Sequence, residues 1–578
     1  MDTLPTIARI ERVDDVPLLL AQLSKMEVAP LLDAYFPMHG NWQGVSLGEV
    51  TVGWLSYILS EGDHRLNAVE GWAEGLLMTL QGGLGRSDVR SLDFSDDRLC
   101  VVLDRLGGDE EAWEAYEGAQ TGQLLRVYDL KADRVRVDST TAKSYVGVSE
   151  GGLFQFGHSK EHRSDVPQLK INQSTLDPLG WPLSTTVVSG EQADDPLYIP
   201  EIARVQANLG CGGRLYVGDC KMAALATRAY LAERHDHYLC PLSAVQMPQA
   251  TLDALLEPVW TGQQALTPVY RAPQTEASQP ESIAKGFCST ITRTSAEGHS
   301  WQERRLVVQS FKHAEAQQTR LDQRLVNAER DLAALNRRGR GHPRRDEAQT
   351  HQAVEAILTR HQVTGLLDVE LEVHTQTTTT RAYRNRPARQ QTTLTFTVHT
   401  QRNLPAYEQA VRALGWRVFA TNDPQLELPE AVRAYREQYL IERTFNRLRG
   451  KTLGLTPIYL ASATRITGLI RLLSIALRVL CLVEFTVREA LRIRGETLDH
   501  LYAGNPKRAT ARPTTERLLA AFTGLSLIVF NLGETYQCSL TPLNTVQSRI
   551  LALMGFPETL YHNLSPIPED IDLKMSEP

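Results

Sequence analysis

Three acidic residues in this chain have the setting that metal-assisted phosphodiester chemistry needs. Asp138 closes the strand-like run Val135-Arg136-Val137, Asp219 closes Leu215-Tyr216-Val217-Gly218, and Glu442 falls within an amphipathic helical stretch. Two divalent cations clamping one phosphate require carboxylate oxygens that converge from different elements, and strand ends together with a rigid helix can hold them. Steps of four, three, four and three through Leu428, Val432, Tyr435, Tyr439 and Glu442 predict that the Glu442 carboxylate lies on the inward stripe of one helix. A buried carboxylate is normally paired, protonated or bound to a metal. Pairing with Arg443, Arg447 or Arg449 is therefore as open a reading of this helix as a metal site.

Strand logic governs the two aspartates. Val135 and Val137 face one way, and Arg134, Arg136 and Asp138 face the other. The unbroken apolar run before Asp219 reads as a strand buried on both faces, followed by a helix over Leu225 to Arg234. Acids at the carboxyl ends of such strands sit where α/β sheets place their sites. An Asp that opens a turn is also an ordinary cap, so each aspartate alone serves structure as well as it serves chemistry.

The flanking segments supply the frame. From Asp14 to about Gln120 the pattern is helical, with Leu47, Val50, Trp54 and Ile58 on one face and Ser95 capping the stretch with Leu99, Leu103 and Leu106. Leu169 to Leu176, the turn Asp177-Pro178-Leu179-Gly180 and Pro182 to Val188 predict a hairpin. A helix over Ile199 to Asn208, the Asp219 strand and a return strand at Tyr238 follow. Between about Ser243 and Leu414 lie a heptad-like helix with Leu321, Leu325, Leu332 and Leu335, a basic stretch from Arg337 to Arg345, and Thr-rich β-prone runs at Leu367 to Thr380 and Thr392 to Thr400. That interval predicts an inserted α+β domain. The basic stretch is open to two readings, a solvated loop tip or a DNA contact.

The segments Val135-Arg-Val-Asp138-Ser-Thr-Thr, Leu215-Tyr-Val-Gly-Asp219-Cys-Lys-Met and Tyr435-Arg-Glu-Gln-Tyr-Leu-Ile-Glu442-Arg-Thr-Phe-Asn-Arg-Leu-Arg449 resemble, in order and spacing, the catalytic core of bacterial insertion-sequence transposases of the DDE type. The loop Gly157-His-Ser-Lys-Glu-His-Arg-Ser-Asp-Val-Pro-Gln168 and Gly40-Asn-Trp-Gln-Gly-Val-Ser-Leu-Gly48 look like the same group, in its branch with the Tyr-x2-Arg-x3-Glu-x6-Lys signature. Tyr435 and Glu442 fit that signature, while Gln438 stands at its Arg position and Arg449 at its Lys position, with Lys451 two residues on. The resemblance implies an α/β fold: a ribonuclease-H-like mixed-sheet core over residues 125–242 and 415–455, an insertion over 243–414, a helical DNA-end-binding domain over 1–124 and a helical region over 456–578. It implies Asp138, Asp219 and Glu442 as catalytic ligands of two Mg2+ ions, with Mn2+ as a substitute. It also implies Tyr435, Arg449, Lys451, His158, Lys160 and Arg163 as DNA contacts. Partners would be double-stranded DNA, as inverted repeats and target, and further copies of the chain in a synaptic complex.

Composition sets limits on other classes. The 578 residues carry a net charge of −7, yet Arg433, Arg436, Arg443, Arg447, Arg449 and Lys451 crowd the Glu442 helix, so local basic surface outweighs the sum. Seven cysteines are scattered without a Cys-x-x-Cys pair, which argues for reduced thiols and against structural zinc. His158 and His162 have the spacing of a helical metal pair but lie in a Gly-flanked loop without a third ligand, so a phosphate-facing loop is the better reading. No P-loop occurs. The most apolar stretch, Leu469 to Val487, holds Arg471 and Arg478 and predicts a core helix rather than a membrane span, which with the Met-Asp-Thr-Leu-Pro start gives a cytoplasmic expectation. Two rivals to a transposase stay open: a ribonuclease-H-like nuclease that cuts without joining, and a catalytically silent DNA-binding relative.

Overall fold

The computed structural model of the chain describes residues 6–38, 40, 42–160, 163–210, 212–271, 280–337, 345–381, 387, 389–502, 504–532, 536–562 and 564. They form two compact units, one from residues 1–240, 294–300 and 434–578, the other from 241–293 and 301–433.

The first unit opens with strand β1 (Thr6–Arg12) and seven helices: α1 (Val16–Lys25), α2 (Val28–Tyr35), α3 (Leu47–Glu61), α4 (Val69–Gly75), α5 (Leu77–Leu84), α6 (Asp96–Gly108) and α7 (Glu110–Val127). Ser46 and Glu49 cap α3 reciprocally, which fixes its start just before the apolar run. A mixed sheet follows, built from β2 (Arg134–Lys143), β3 (Gln168–Leu176), β4 (Trp181–Ser189), β5 (Leu215–Val217) and β6 (His237–Pro241), with α8 (Tyr198–Leu209) and α9 (Leu225–Glu233) between its strands in sequence. Its order is β4-β3-β2-β5-β6. β2 to β4 pair antiparallel, whereas β5 runs parallel to both β2 and β6.

The second unit holds α10 (Gln249–Trp260), β7 (Thr267–Tyr270), β8 (Ser282–Thr294), β9 (Ser300–Ser310), α11 (Phe311–Ala334), α12 (Glu347–His361), β10 (Leu367–Thr380), β11 (Arg389–Arg402), α13 (Leu404–Arg412) and β12 (Trp416–Thr421). Strands run in the order β12-β9-β8-β7, and β10 and β11 form a separate two-stranded ribbon. β12, which the sequence assigns to the core, counts with this unit because it pairs along its length with β9, from Trp416↔Gln309 to Thr421↔Arg304.

The chain re-enters the first unit through α14 (Leu428–Arg436) and α15 (Tyr439–Arg449), then α16 (Ala463–Arg494), α17 (Thr515–Ala520), β13 (Ser526–Asn531), β14 (Tyr536–Leu540), α18 (Thr545–Met554) and α19 (Thr559–His562). The region after residue 456 is mainly helical but also carries the short strands β13 and β14. β13 pairs with both β1 and β14, burying Leu527 and Val529 by strict alternation in a β-branched and aromatic run that no helix period explains.

α16 is long and apolar enough to cross a membrane by composition, but 94% of its most apolar window is buried inside the unit. It crosses α6 at a glycine on each side: a Cβ on Gly107 would meet Thr464 O at 1.9 Å, and one on Gly468 would meet Leu103 O at 2.1 Å. Its two interior arginines are both paired with acids inside the unit. Arg478 bonds Glu117 at 2.9 Å, Gln120 and the Pro182 carbonyl, and Arg471 pairs with Glu110, so α16 is tied to both α7 and β4.

Candidate active site

The site grows out of β2. This strand pairs with β3 from Val135↔Leu176 to Lys143↔Gln168, but with β5 only at Arg134↔Leu215, Val135↔Tyr216 and Arg136↔Val217. Two residues further along each stand Asp138 and Asp219. Asp138 lies on β2 itself and Asp219 just past the end of β5, near enough that the two charges bear on each other and both on Tyr198. Because β5 ends at Val217, the flank of β2 beyond Arg136 is open at this level.

Each carboxylate is fixed locally. Asp138, with a side chain 16% exposed, accepts from the Ser139 amide at 2.7 Å and from Lys160 Nζ at 3.1 Å. Lys160 also donates to the Ser139 carbonyl. Burial, and then the charge of Asp219, push the Asp138 carboxyl above its usual range against the pull of Lys160. Asp219 Oδ1 accepts from the Lys221 amide at 2.8 Å, closing a local turn, and from the Tyr198 hydroxyl at 2.6 Å. Burial together with the Asp219 and Asp138 charges holds the Tyr198 phenol well above its ordinary range, so it stays a donor.

The helix side is built differently. α15 runs along the face of β2 that carries Arg136. At one end the Arg136 guanidinium donates to the Ala434 carbonyl at 2.8 Å and to Gln438 Oε1 at 3.5 Å; at the other, Arg449 Nη1 donates to the Thr141 carbonyl at 3.3 Å. Gln438 to Arg449 spans about 16 Å at the helical rise, as does Arg136 to Thr141 at the strand rise, so the two elements advance together and Glu442 comes level with Asp138.

Glu442 is not on a buried stripe, however. The helical run breaks at Glu437 and Gln438, and α15 restarts with its own phase, burying Ile441, Thr444, Phe445 and Leu448 while Tyr439 and Glu442 are exposed. Carrying one period across the break put Glu442 on the wrong side of the stripe. Two of its possible arginine partners are engaged elsewhere, Arg443 with Glu484 and Arg447 with Glu484 and Glu516. Among the described residues Glu442 has no ion pair, and no three His, Cys, Asp or Glu side chains stand close enough to hold one metal ion.

The remaining residues expected at the site divide. Lys160 lies against Asp138, and Arg449 against the end of β2. Arg163 pairs with Asp165 at 2.8 Å, His158 is exposed with its carbonyl accepting from Gln168, Tyr435 is half-buried on α14, and Lys451 is exposed just past α15. His162 falls outside the described residues, as do residues 338–344 of the basic stretch. Two residues carried no sequence signal. Tyr198 begins an ordinary amphipathic helix, and Asp194 accepts from Ser139 Oγ at 3.1 Å and Lys170 Nζ at 2.7 Å beside the site.

Two acids side by side, one of them largely buried, call for positive charge. Lys160 supplies a single one. Carboxylate oxygens are the donors a hard cation such as Mg2+ or Mn2+ takes, so the two aspartates match the implied ions in donor chemistry, while among the described residues no third acid stands with them.

No family model and no curated protein matches the chain. A solved structure of a piggyBac transposase synaptic complex with hairpin DNA aligns over 97% of this chain and 88% of that one, at 8% identity and a TM-score of 0.36. Likeness at that level does not establish a shared fold.

Proposed function

We propose that the chain is a DNA transposase of the DDE type, using Asp138, Asp219 and Glu442 to cleave DNA strands at the inverted repeats of an insertion sequence and to join the freed 3′ end to a target. What supports this reading most is the approach of Asp138 on β2 to Asp219 just beyond its parallel neighbour β5, with α15, which carries Glu442, running alongside β2. The sheet order β4-β3-β2-β5-β6, antiparallel on one side of β2 and parallel on the other, supports a ribonuclease-H-like core. Two divalent cations, when bound, would activate water or a 3′ hydroxyl and stabilise the leaving oxygen. Asp138 and Asp219 fix where the cations sit. Glu442 completes the ligand set from the helix, and Arg449 stands at the far end of α15 to hold a phosphate by its guanidinium fork. Lys160, displaced from Asp138, is free to meet a phosphate oxygen.

A specific observation favours one rival, a silent DNA-binding relative: Lys160 already pairs with Asp138, and Glu442 has no ion pair among the described residues. The same experiment separates the two. The full chain is incubated with Mg2+ and DNA carrying the sequences that flank its gene, and nicked and joined products are read on a denaturing gel. Metal-dependent nicks at the repeat ends, followed by joined products, are expected. Nicks without joining would indicate a nuclease, and binding without nicks the silent relative.

A further inference from the structure

The β10–β11 ribbon has no role in the site described above. Its strands pair over fourteen positions, from Leu367↔Arg402 to Thr380↔Arg389. The base is packed: Leu367 and Val398 join Leu321, Leu325, Leu332 and Leu358 in a core, Arg402 pairs with Glu329, and Asn336 at the end of α11 clamps the backbone of Val398 from both sides. Beyond that clamp the ribbon is on its own. Every residue of β10 from Glu372 to Thr379 is exposed, over about 27 Å of strand, and on β11 the residues from Arg389 to Thr392 are exposed while Thr393 and Thr395 to Thr397 are half-buried, so the outer part of the ribbon is open on both faces. A two-stranded ribbon open on both faces is marginal in water and presents two free edges, so a surface of this kind is built for a partner.

Its chemistry selects the partner. From Val373 to Val398 the sequence contains no acid and carries Arg381, Arg384, Arg386 and Arg389; the rest is largely Thr and Gln. Arg381 and Arg389 are exposed where the free strands end. A two-stranded β-ribbon has the width of the DNA major groove, Thr and Gln side chains can bond base edges, and arginines at the tip meet phosphates.

We propose that the free half of the β10–β11 ribbon is an arm that lies in the major groove of double-stranded DNA. This rests on the reading that DNA is the substrate. The test uses the full chain and a duplex of arbitrary sequence in EDTA, so that no strand is cut, with affinity followed by fluorescence anisotropy across a salt series. Arg381→Ala/Arg389→Ala should weaken binding roughly tenfold and lower the salt slope by about two units, since each phosphate contact contributes about one. A Thr378→Cys variant carrying a photo-crosslinker should attach to the duplex. Both positions are exposed, so the melting temperature should not change. Wild-type affinity and slope in the double variant, with no crosslink, would overturn the arm while leaving DNA as substrate. A wild-type chain that binds no duplex would overturn both. Dissociation of a dimer in the double variant, with DNA affinity intact, would assign the ribbon to a second copy and overturn the proposal.

Discussion

The strand side and the helix side of the site differ in how firmly each acid is held. Asp138 and Asp219 are pinned by backbone amides, a tyrosine hydroxyl and a lysine, on β2 and just past the end of its parallel neighbour β5. Glu442 stands exposed on α15, level with them but bonded to nothing among the described residues. A pinned pair sets position before any ligand arrives, whereas a free carboxylate adds charge only when cations and phosphate draw it in. On the proposed reading, the difference separates positioning from completion within one site.

The largest effect that could break this comparison is on chemistry. Asp138→Asn or Asp219→Asn removes a ligand charge without leaving a cavity, so strand cleavage should fall by about a thousandfold or more, with DNA affinity in EDTA within about twofold of wild type; removing one transition-state charge stabiliser typically costs about 10²–10³ in rate, and a metal ligand more. Wild-type cleavage by either variant would remove that residue from the site.

Next in size is a contrast with buried charge that has no chemistry to do. Arg478 and Glu117 are both fully buried and paired. Arg478→Met strands the carboxylate and should cost about 3–5 kcal/mol in urea unfolding, and Glu117→Gln added to it should restore much of the loss. Additive losses in the double variant would show that the pair is not coupled.

Asp15 gives a third measure, a buried acid with a hydroxyl partner, Ser60, but no cation. Burial raises its carboxyl from 3.8 to about 6. The folded state therefore favours the neutral form: there is no penalty below pH 3.8, stability falls as pH rises towards 6, and the loss is complete above it. Asp15→Asn should flatten that fall and stabilise the protein by about 2–3 kcal/mol at pH 8. An unchanged pH profile would place Asp15's charge in contact with solvent.

The smallest expected effect sharpens the role of Lys160. If its ammonium neutralises the acid pair in the absence of cations, Lys160→Met should lower stability in EDTA by about 1–2 kcal/mol, and Mg2+ should recover more of the melting temperature in the variant than in wild type. Equal responses to Mg2+ would detach Lys160 from the cation site.

Much of this arrangement is legible in the residues. The Asp177 to Gly180 turn with its flanking strands and the Thr-rich ribbon follow from β-prone runs and turn residues, and the strand before Asp219 from a short unbroken apolar run, and the structure places them at β3–β4, β10–β11 and β5. Strand faces could be assigned because alternation is rigid, although the Arg136 face proved buried, held by Asp177. The helix phase could not. No Gly or Pro marks the break at Glu437 and Gln438, and a helical period carried across an unmarked break points the next carboxylate the wrong way. β1 carries little local signal because it is short and its partner β13 lies hundreds of residues away, a pairing that local pattern does not encode.

The most direct test of a shared cation site joining the pinned and free acids is affinity cleavage by iron. With Fe2+ replacing Mg2+, in the presence of DNA, ascorbate and peroxide, hydroxyl radicals formed at the bound ion cut the backbone beside its ligands, and the fragments are mapped by mass spectrometry. Cuts near residues 138, 219 and 442, all competed away by Mg2+, are the expected result. Cuts at 138 and 219 with none near 442 would contradict a site completed from α15.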